Sequence, residues 1–136
     1  MNIDKFKHQH TQIFDCINTL RQHSLSGIIE NARDIARTVV SMSSMIKLHL
    51  SVEDKVLYPA LRSSKSETIA RLGNQYQEDM KAIAQSYEEF ARKWNTATNV
   101  AKDPEGFRTE ANTVLKRLHT RIRQEDQNFY PAIEAI

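Results

Sequence analysis

The chain carries, in its first half, the sequence His49-Leu-Ser-Val-Glu-Asp-Lys-Val-Leu-Tyr-Pro-Ala60. The last eight residues of this stretch, 53–60, have a related copy near the C-terminus, Glu125-Asp-Gln-Asn-Phe-Tyr-Pro-Ala132. The two copies are identical at five of the eight positions. Both copies place Glu six residues before a proline, a residue that ends or kinks a helix because it lacks an amide proton. The repeat therefore predicts two related helix pairs, with Pro59 ending or kinking the helix of the first copy.

The two copies differ upstream of the shared glutamate. His49 lies four residues before Glu53, whereas Arg121 lies four residues before Glu125. Residues four apart share one face of a helix. Each copy therefore pairs a carboxylate with a nitrogen-bearing side chain, but only the first pair has two metal-ligating groups.

The composition favours long helices in a single domain that spans residues 1–136. Three Gly and three Pro in 136 residues are too few for a sheet protein with many turns, and the chain is long enough to bury a core. A net charge of +2, with both signs interspersed, predicts a solvated surface and no nucleic-acid footprint. Cys16 is the only cysteine, and no apolar run reaches membrane-spanning length. We therefore expect a cytoplasmic all-α protein with no membrane partner.

Hydrophobic periodicity predicts four helical segments. They run from about Asp4 to Ser24, from Asn31 to Pro59, from the capping box Ser64-Lys-Ser-Glu67 to about Asn95, and from Asp103-Pro104 to the second Tyr-Pro-Ala. Residues 95–103 are expected to form the one long connection. Segments of this length with short connections favour an antiparallel up-down-up-down four-helix bundle.

Such a bundle brings polar residues from all four segments together at one end of its core. His10 near the start of the first segment lies level with the ends of the second and fourth segments. The residues that we expect in this layer are His10, His49, Glu53, Gln75, Tyr76, Asp79, Arg121 and Glu125.

Buried carboxylates need a compensating cation, because burial disfavours an isolated charge. A metal ion held by His10, His49, Glu53 and Glu125 is one solution, and this mixed nitrogen and oxygen set suits iron, manganese or zinc. The guanidinium of Arg121 is the other, since its planar fork matches carboxylates. Both solutions stay open at this point.

The sequence resembles hemerythrin-like domains, the HHE cation-binding domains, over nearly its whole length. The family pattern is a His in helix one, His-x-x-x-Glu in helix two, a His in helix three and a second His-x-x-x-Glu in helix four. His10 matches the first element, His49 with Glu53 the second, and Glu125 the last carboxylate. The resemblance implies a hemerythrin-like bundle with non-haem iron as cofactor.

The chain departs from the family pattern in its second half. Gln75, Tyr76 or Asp79 stands where the family has the helix-three His, and Arg121 replaces the helix-four His. Since a guanidinium repels a second cation, we predict a mononuclear site with Arg121 in place of the second ion and Asp79 as its partner. The alternative is a metal-free bundle in which Arg121 itself neutralises the two glutamates.

Three functions compete. A metal protein would sense, store or carry iron or a small diatomic ligand. A metal-free bundle would act as a regulatory or protein-interaction module. An oxidase or peroxidase-like enzyme ranks last, because the residues that complete a redox-active pair of ions are absent.

Overall fold

The computed structural model describes residues 1–135 and contains no strand in that range. Four long helices dominate it: α1 (Asp4–Ser26), α2 (Ala32–Val52), α4 (Glu67–Trp94) and α6 (Pro104–Gln124). The shorter elements are a first π turn (Glu53–Leu57), α3 (Tyr58–Arg62), α5 (Ala97–Lys102), a second π turn (Glu125–Phe129) and α7 (Tyr130–Glu134).

The long helices form the antiparallel up-down-up-down bundle that the sequence predicts. Helix α1 packs on α2, α2 on α4, α4 on α6, and α6 closes the ring against α1. No helix within the described part of the chain is long and apolar enough to cross a membrane.

Two apolar clusters fill the bundle and leave a polar layer between them. The larger cluster extends from the middle of the bundle to the end that carries α5 and includes Ile13, Met42, Ile83 and Leu118. The smaller one lies under the Tyr-Pro-Ala ends and consists of Ile3, Phe6, Leu57, Tyr58, Leu61, Phe129, Tyr130 and Ile133. Six buried polar residues fall between these clusters along their helices and are enclosed by apolar packing on both sides: Gln9, His10, His49, Glu53, Arg121 and Glu125.

Pro59 and Pro131 coincide with changes of helical register. In each copy of the repeat the turn before Tyr-Pro is π-helical, and the amide of Tyr58 or Tyr130 donates to the carbonyl of the glutamate five residues earlier. A proline ring clashes with the carbonyl four residues before it in an α-helix, and the wider turn relieves that clash. The predicted end or kink at Pro59 is therefore displaced: the register changes at Glu53, and the helix continues to Arg62.

The N-terminus of α4 differs from the predicted capping box. Ser66 is the N-cap, and its hydroxyl oxygen accepts from the amide of Ile69. Ser64 instead accepts from the amide of Ser66, two residues too early to cap the helix. The cap expected for the fourth segment is confirmed, since Asp103 accepts from the amide of Gly106.

The connection between α4 and α6 contains a helix that the sequence analysis missed. Thr96 caps α5 by accepting from the amide of Asn99, and Val100 is fully buried against the core. Six residues are too few for a hydrophobic period to stand out from the flanking polar positions.

Candidate metal centre

The four predicted ligands are all buried in the polar layer. His10 lies in the first half of α1 and His49 near the end of α2, and each is 1% exposed. Glu53 and Glu125 are the first residues of the two π turns and are fully buried. The sequence repeat thus places two carboxylates at equivalent positions of the bundle, and π turns of this kind are frequent at functional sites.

Three of these side chains converge on one point. Nε2 of His10 lies 3.1 Å from Nε2 of His49 and 3.0 Å from Oε1 of Glu125. Nε2 of His49 lies 3.9 Å from the same carboxylate oxygen. All three ligand atoms are within 4.8 Å of one another, so one ion could contact them together.

Glu53 adjoins this group through His49 and Tyr130. Its Oε1 lies 3.2 Å from Nε2 of His49, and its Oε2 accepts from the hydroxyl of Tyr130 at 3.3 Å. That hydroxyl also lies 3.2 Å from Nε2 of His10. Tyr130 therefore links the carboxylate of one repeat to the histidine of α1.

The far side of each imidazole is held by an acceptor. Nδ1 of His10 donates to Oδ1 of Asp126 at 2.8 Å, and Nδ1 of His49 donates to Oε1 of Gln9 at 2.7 Å. Since a carboxylate and an amide oxygen only accept, each Nδ1 carries its ring proton. In the neutral form of each ring the Nε2 lone pair then points into the cluster, which is how outer hydrogen bonds orient histidine ligands for a metal.

Arg121 engages the opposite side of Glu125. It is 4% exposed, and Nη2 lies 3.3 Å from Oε2 of Glu125. The same nitrogen donates to the carbonyl of Tyr76 at 2.6 Å, and the guanidinium lies 4.4 Å from the centre of the Tyr76 ring. Glu125 thus presents one oxygen to the histidines and the other to a fixed positive charge.

The expected pairing of Arg121 with Asp79 is wrong. Asp79 is exposed, and within residues 1–135 the ion pair of Arg121 is with Glu125. Gln75 is also exposed, so neither residue reaches the cluster, whereas Tyr76 is half-buried and contributes its carbonyl and its ring. Arg121 and Glu125 are four residues apart on one helical face, so the shorter reach favours their pairing.

The family model of the hemerythrin HHE cation binding domain matches residues 1–133. The chain belongs to this family. Comparison with curated proteins and with solved structures finds no significant match. Family membership supports cation binding, and the convergent His10, His49 and Glu125 form a site of suitable chemistry for a metal ion.

The donor set of this HHE domain fits a single cation. Two Nε2 lone pairs 3.1 Å apart repel each other unless a cation lies between them or one nitrogen is protonated. Among residues 1–135, Oε1 of Glu53 and Oε1 of Glu125 are buried without a hydrogen-bond partner, which is costly for a carboxylate. One ion that accepts electron pairs from His10, His49 and Glu125 would satisfy three of these atoms, and Oε1 of Glu53 lies 3.2 Å from Nε2 of His49 beside them.

The electrostatics of this HHE domain favour positive charge within the cluster. Burial opposes the charged form of His49, but the attraction of the nearby Glu125 and Glu53 carboxylates outweighs it and raises the pKa of His49 to about 9. Burial likewise opposes ionisation of Glu125, yet contacts with His10, His49 and Arg121 lower its pKa to about 2. Burial and the neighbouring charge of Glu125 raise the pKa of Glu53. A proton on His49 and a metal ion therefore compete for the same nitrogen.

Three residues of the site were missed by sequence reasoning: Gln9, Asp126 and Tyr130. Gln9 and Asp126 are sequence neighbours of ligands, and adjacency to His10 and Glu125 was the available signal. Tyr130 belongs to the repeat, so its position was marked by Tyr-Pro-Ala, although its contact with Glu53 was not.

Proposed function

We propose that this HHE domain binds one iron ion through His10, His49, Glu53 and Glu125, and that it stores, senses or carries iron or a small diatomic ligand. The observation that carries the proposal is the pair of Nε2 atoms 3.1 Å apart, each on an imidazole whose Nδ1 is already engaged. Hydrogen bonds on the outer side of both rings leave the inner lone pairs available, and two nitrogens so close together are stabilised by a cation between them or by a proton on one of them.

A single ion is favoured over a pair because of Arg121. Its guanidinium already neutralises Oε2 of Glu125 from within the core. A second cation on that oxygen would be held beside a permanent positive charge in a medium of low dielectric constant, which is unfavourable.

Iron bound at such a site would supply Lewis acidity and open coordination positions, because the protein offers four ligand atoms to a metal that accepts more. The chain's own groups orient that site. Asp126 and Gln9 fix the two imidazoles, and the buried hydroxyl of Tyr130 donates to Oε2 of Glu53.

A second candidate function is that of a metal-free interaction or regulatory module. Two observations favour it. Arg121 forms a buried ion pair with Glu125. The pKa of His49 is raised to about 9, so that His49 is protonated at neutral pH. One guanidinium and one imidazolium would then balance the two glutamates.

Anaerobic titration of untagged, metal-stripped protein with ferrous iron against a chromophoric chelator separates the two candidates. We expect the His49→Ala variant to lose affinity by about 100-fold or more, because even the outer partners of metal ligands contribute about 10–100-fold. The matched control is His8→Ala, since His8 is exposed on α1, and its affinity should equal that of the wild type. Equal affinity of His49→Ala and the wild type, or a wild type that binds no iron, would overturn the proposal in favour of the metal-free module.

A further inference from the structure

A groove separates α1 from α6 on the side of the bundle away from the polar layer. It has a volume of about 520 Å³, within the usual range for small-molecule sites. Its floor consists of Ile17, Leu20, Phe107 and Ala111, and Leu25 at its edge is 83% exposed. The metal centre does not account for this apolar surface, because none of the four proposed ligands lines the groove.

The charged side chains at the rim of the α1–α6 groove are all basic. Arg21, Arg108 and Lys116 line it, and in the described part of the chain no carboxylate is among its lining residues. Within residues 1–135, Arg21 and Lys116 form no ion pair, and Arg108 has only a 3.9 Å contact with the exposed Glu105. A groove with an apolar floor and a cationic rim is complementary to an anion that has an apolar body.

Two further observations support this electrostatic description. His119 also lines the groove, and burial together with the charges of Arg123 and Arg21 lowers its pKa. The comparable groove between α2 and α4, about 410 Å³ in volume, instead mixes Lys47 and Lys81 with Glu88 and Glu89. Two other grooves, one lined by Arg117 and one by Arg33, also show no carboxylate among their described lining residues. The α1–α6 groove therefore differs from the rest of the bundle's surface in combining a cationic rim with an extended apolar floor.

We propose that the α1–α6 groove binds a medium-chain fatty carboxylate, with the tail on the apolar floor and the carboxylate between Arg21 and Lys116. An arginine fork pairs with both oxygens of a carboxylate, and the lysine ammonium adds a point charge. A small ligand is favoured over a protein because a stable interface needs about 800 Å² on each partner. Within residues 1–135, Leu25 is the only large, well-exposed apolar side chain that lines the groove, so the apolar surface there is small for a protein interface.

The test is an NMR titration of the full chain with decanoate below its micelle concentration, with decanol and decylammonium as matched uncharged and cationic probes. Decanoate should shift the methyl signals of Ile17, Leu20 and Leu115, and decanol should bind about tenfold more weakly because it lacks the charged contact. Decylammonium should not bind. Equal binding of decanol, or shifts that map elsewhere, would overturn the proposal.

A second experiment reverses the charge of the groove's rim. Arg21→Glu with Lys116→Glu should weaken decanoate binding by about tenfold or more. The matched control, Lys65→Glu with Arg71→Glu, changes the net charge equally at two other exposed sites and should bind as the wild type does. Both pairs lie on the surface, so melting temperatures near that of the wild type are expected, and the circular dichroism spectrum verifies the fold. Undiminished binding by the rim variant would refute the assignment, as would binding of an acidic peptide to the groove without binding of decanoate.

Discussion

Replacing Arg121 by Leu should strongly destabilise the metal-free protein. Arg121 is 4% exposed and Glu125 is fully buried, so the ion pair is not screened by solvent. The substitution keeps an apolar side chain but removes the hydrogen bonds that Arg121 donates to Oε2 of Glu125 and to the carbonyl of Tyr76. Breaking a buried pair in this way costs about 3–5 kcal/mol. At about 4 °C per kcal/mol for a domain of this size, the melting temperature should fall by about 12–20 °C.

Urea unfolding at neutral pH in the presence of a chelator, followed by circular dichroism, measures this loss. The matched control is Arg123→Leu, since Arg123 is exposed on the same helix, and its free energy of unfolding should change by at most about 0.5 kcal/mol. Adding Glu125→Gln to Arg121→Leu should recover part of the loss, because the unpaired charge is removed as well. A loss below about 1 kcal/mol for Arg121→Leu, or strict additivity in the double variant, would refute the reasoning.

Three further predictions follow from the same cluster. Asp126→Asn should lower metal affinity by about 10–100-fold in a chelator competition, because it weakens the hydrogen bond that orients His10. Asp54 is the counterpart of Asp126 in the first repeat, but it accepts from Gln77 and contacts no histidine. The control variant Asp54→Asn should therefore leave metal affinity unchanged. The raised pKa of His49 means that its protonated form stabilises the metal-free fold fully below about 6.5, and that this stability is lost as pH rises to about 9. The melting temperature of the metal-free protein, measured in the presence of a chelator, should therefore fall as pH rises from about 6.5 to about 9, whereas metal affinity should rise. A melting temperature that does not change over this pH range would contradict the assignment. Arg121→His should raise the metal capacity in an equilibrium titration with elemental analysis, and an unchanged capacity would count against the role of Arg121.

Much of the site could be predicted from helical periodicity. His10, His49, Glu53 and Glu125 continue apolar stripes of their helices, and an antiparallel bundle leaves few ways to align those stripes. Their burial follows from this alignment alone. Membership of the hemerythrin HHE family agrees with the resemblance drawn from the same residues.

The contact of Tyr130 with Glu53 could not be predicted from periodicity. In an α-helix Tyr130 would point about 140° away from Glu125, since five residues turn through about 500°. The second π turn closes over five residues and brings position 130 back towards the face of Glu125. A hydrophobic pattern assumes one period throughout a helix, so it carries no sign of such a change.

The hydrogen bonds that orient the two imidazoles depend on how closely the helices approach. Gln9 and Asp126 are next to ligands in sequence, but each reaches a histidine on a different helix. The mistaken partner of Arg121 has the same origin, because Asp79 was placed by its register on α4 without knowledge of its rotation. Spacing along one helix identifies the shared face, whereas contacts between helices require the packing.

Metal stoichiometry tests the central claim most directly. The protein is purified without a metal-binding tag, loaded anaerobically with ferrous iron, freed of excess by gel filtration, and assayed by elemental analysis against protein concentration. The account predicts about one iron per chain and almost none in the His49→Ala variant. Two ions per chain would contradict it. So would the absence of retained iron together with a melting temperature that is the same with and without chelator.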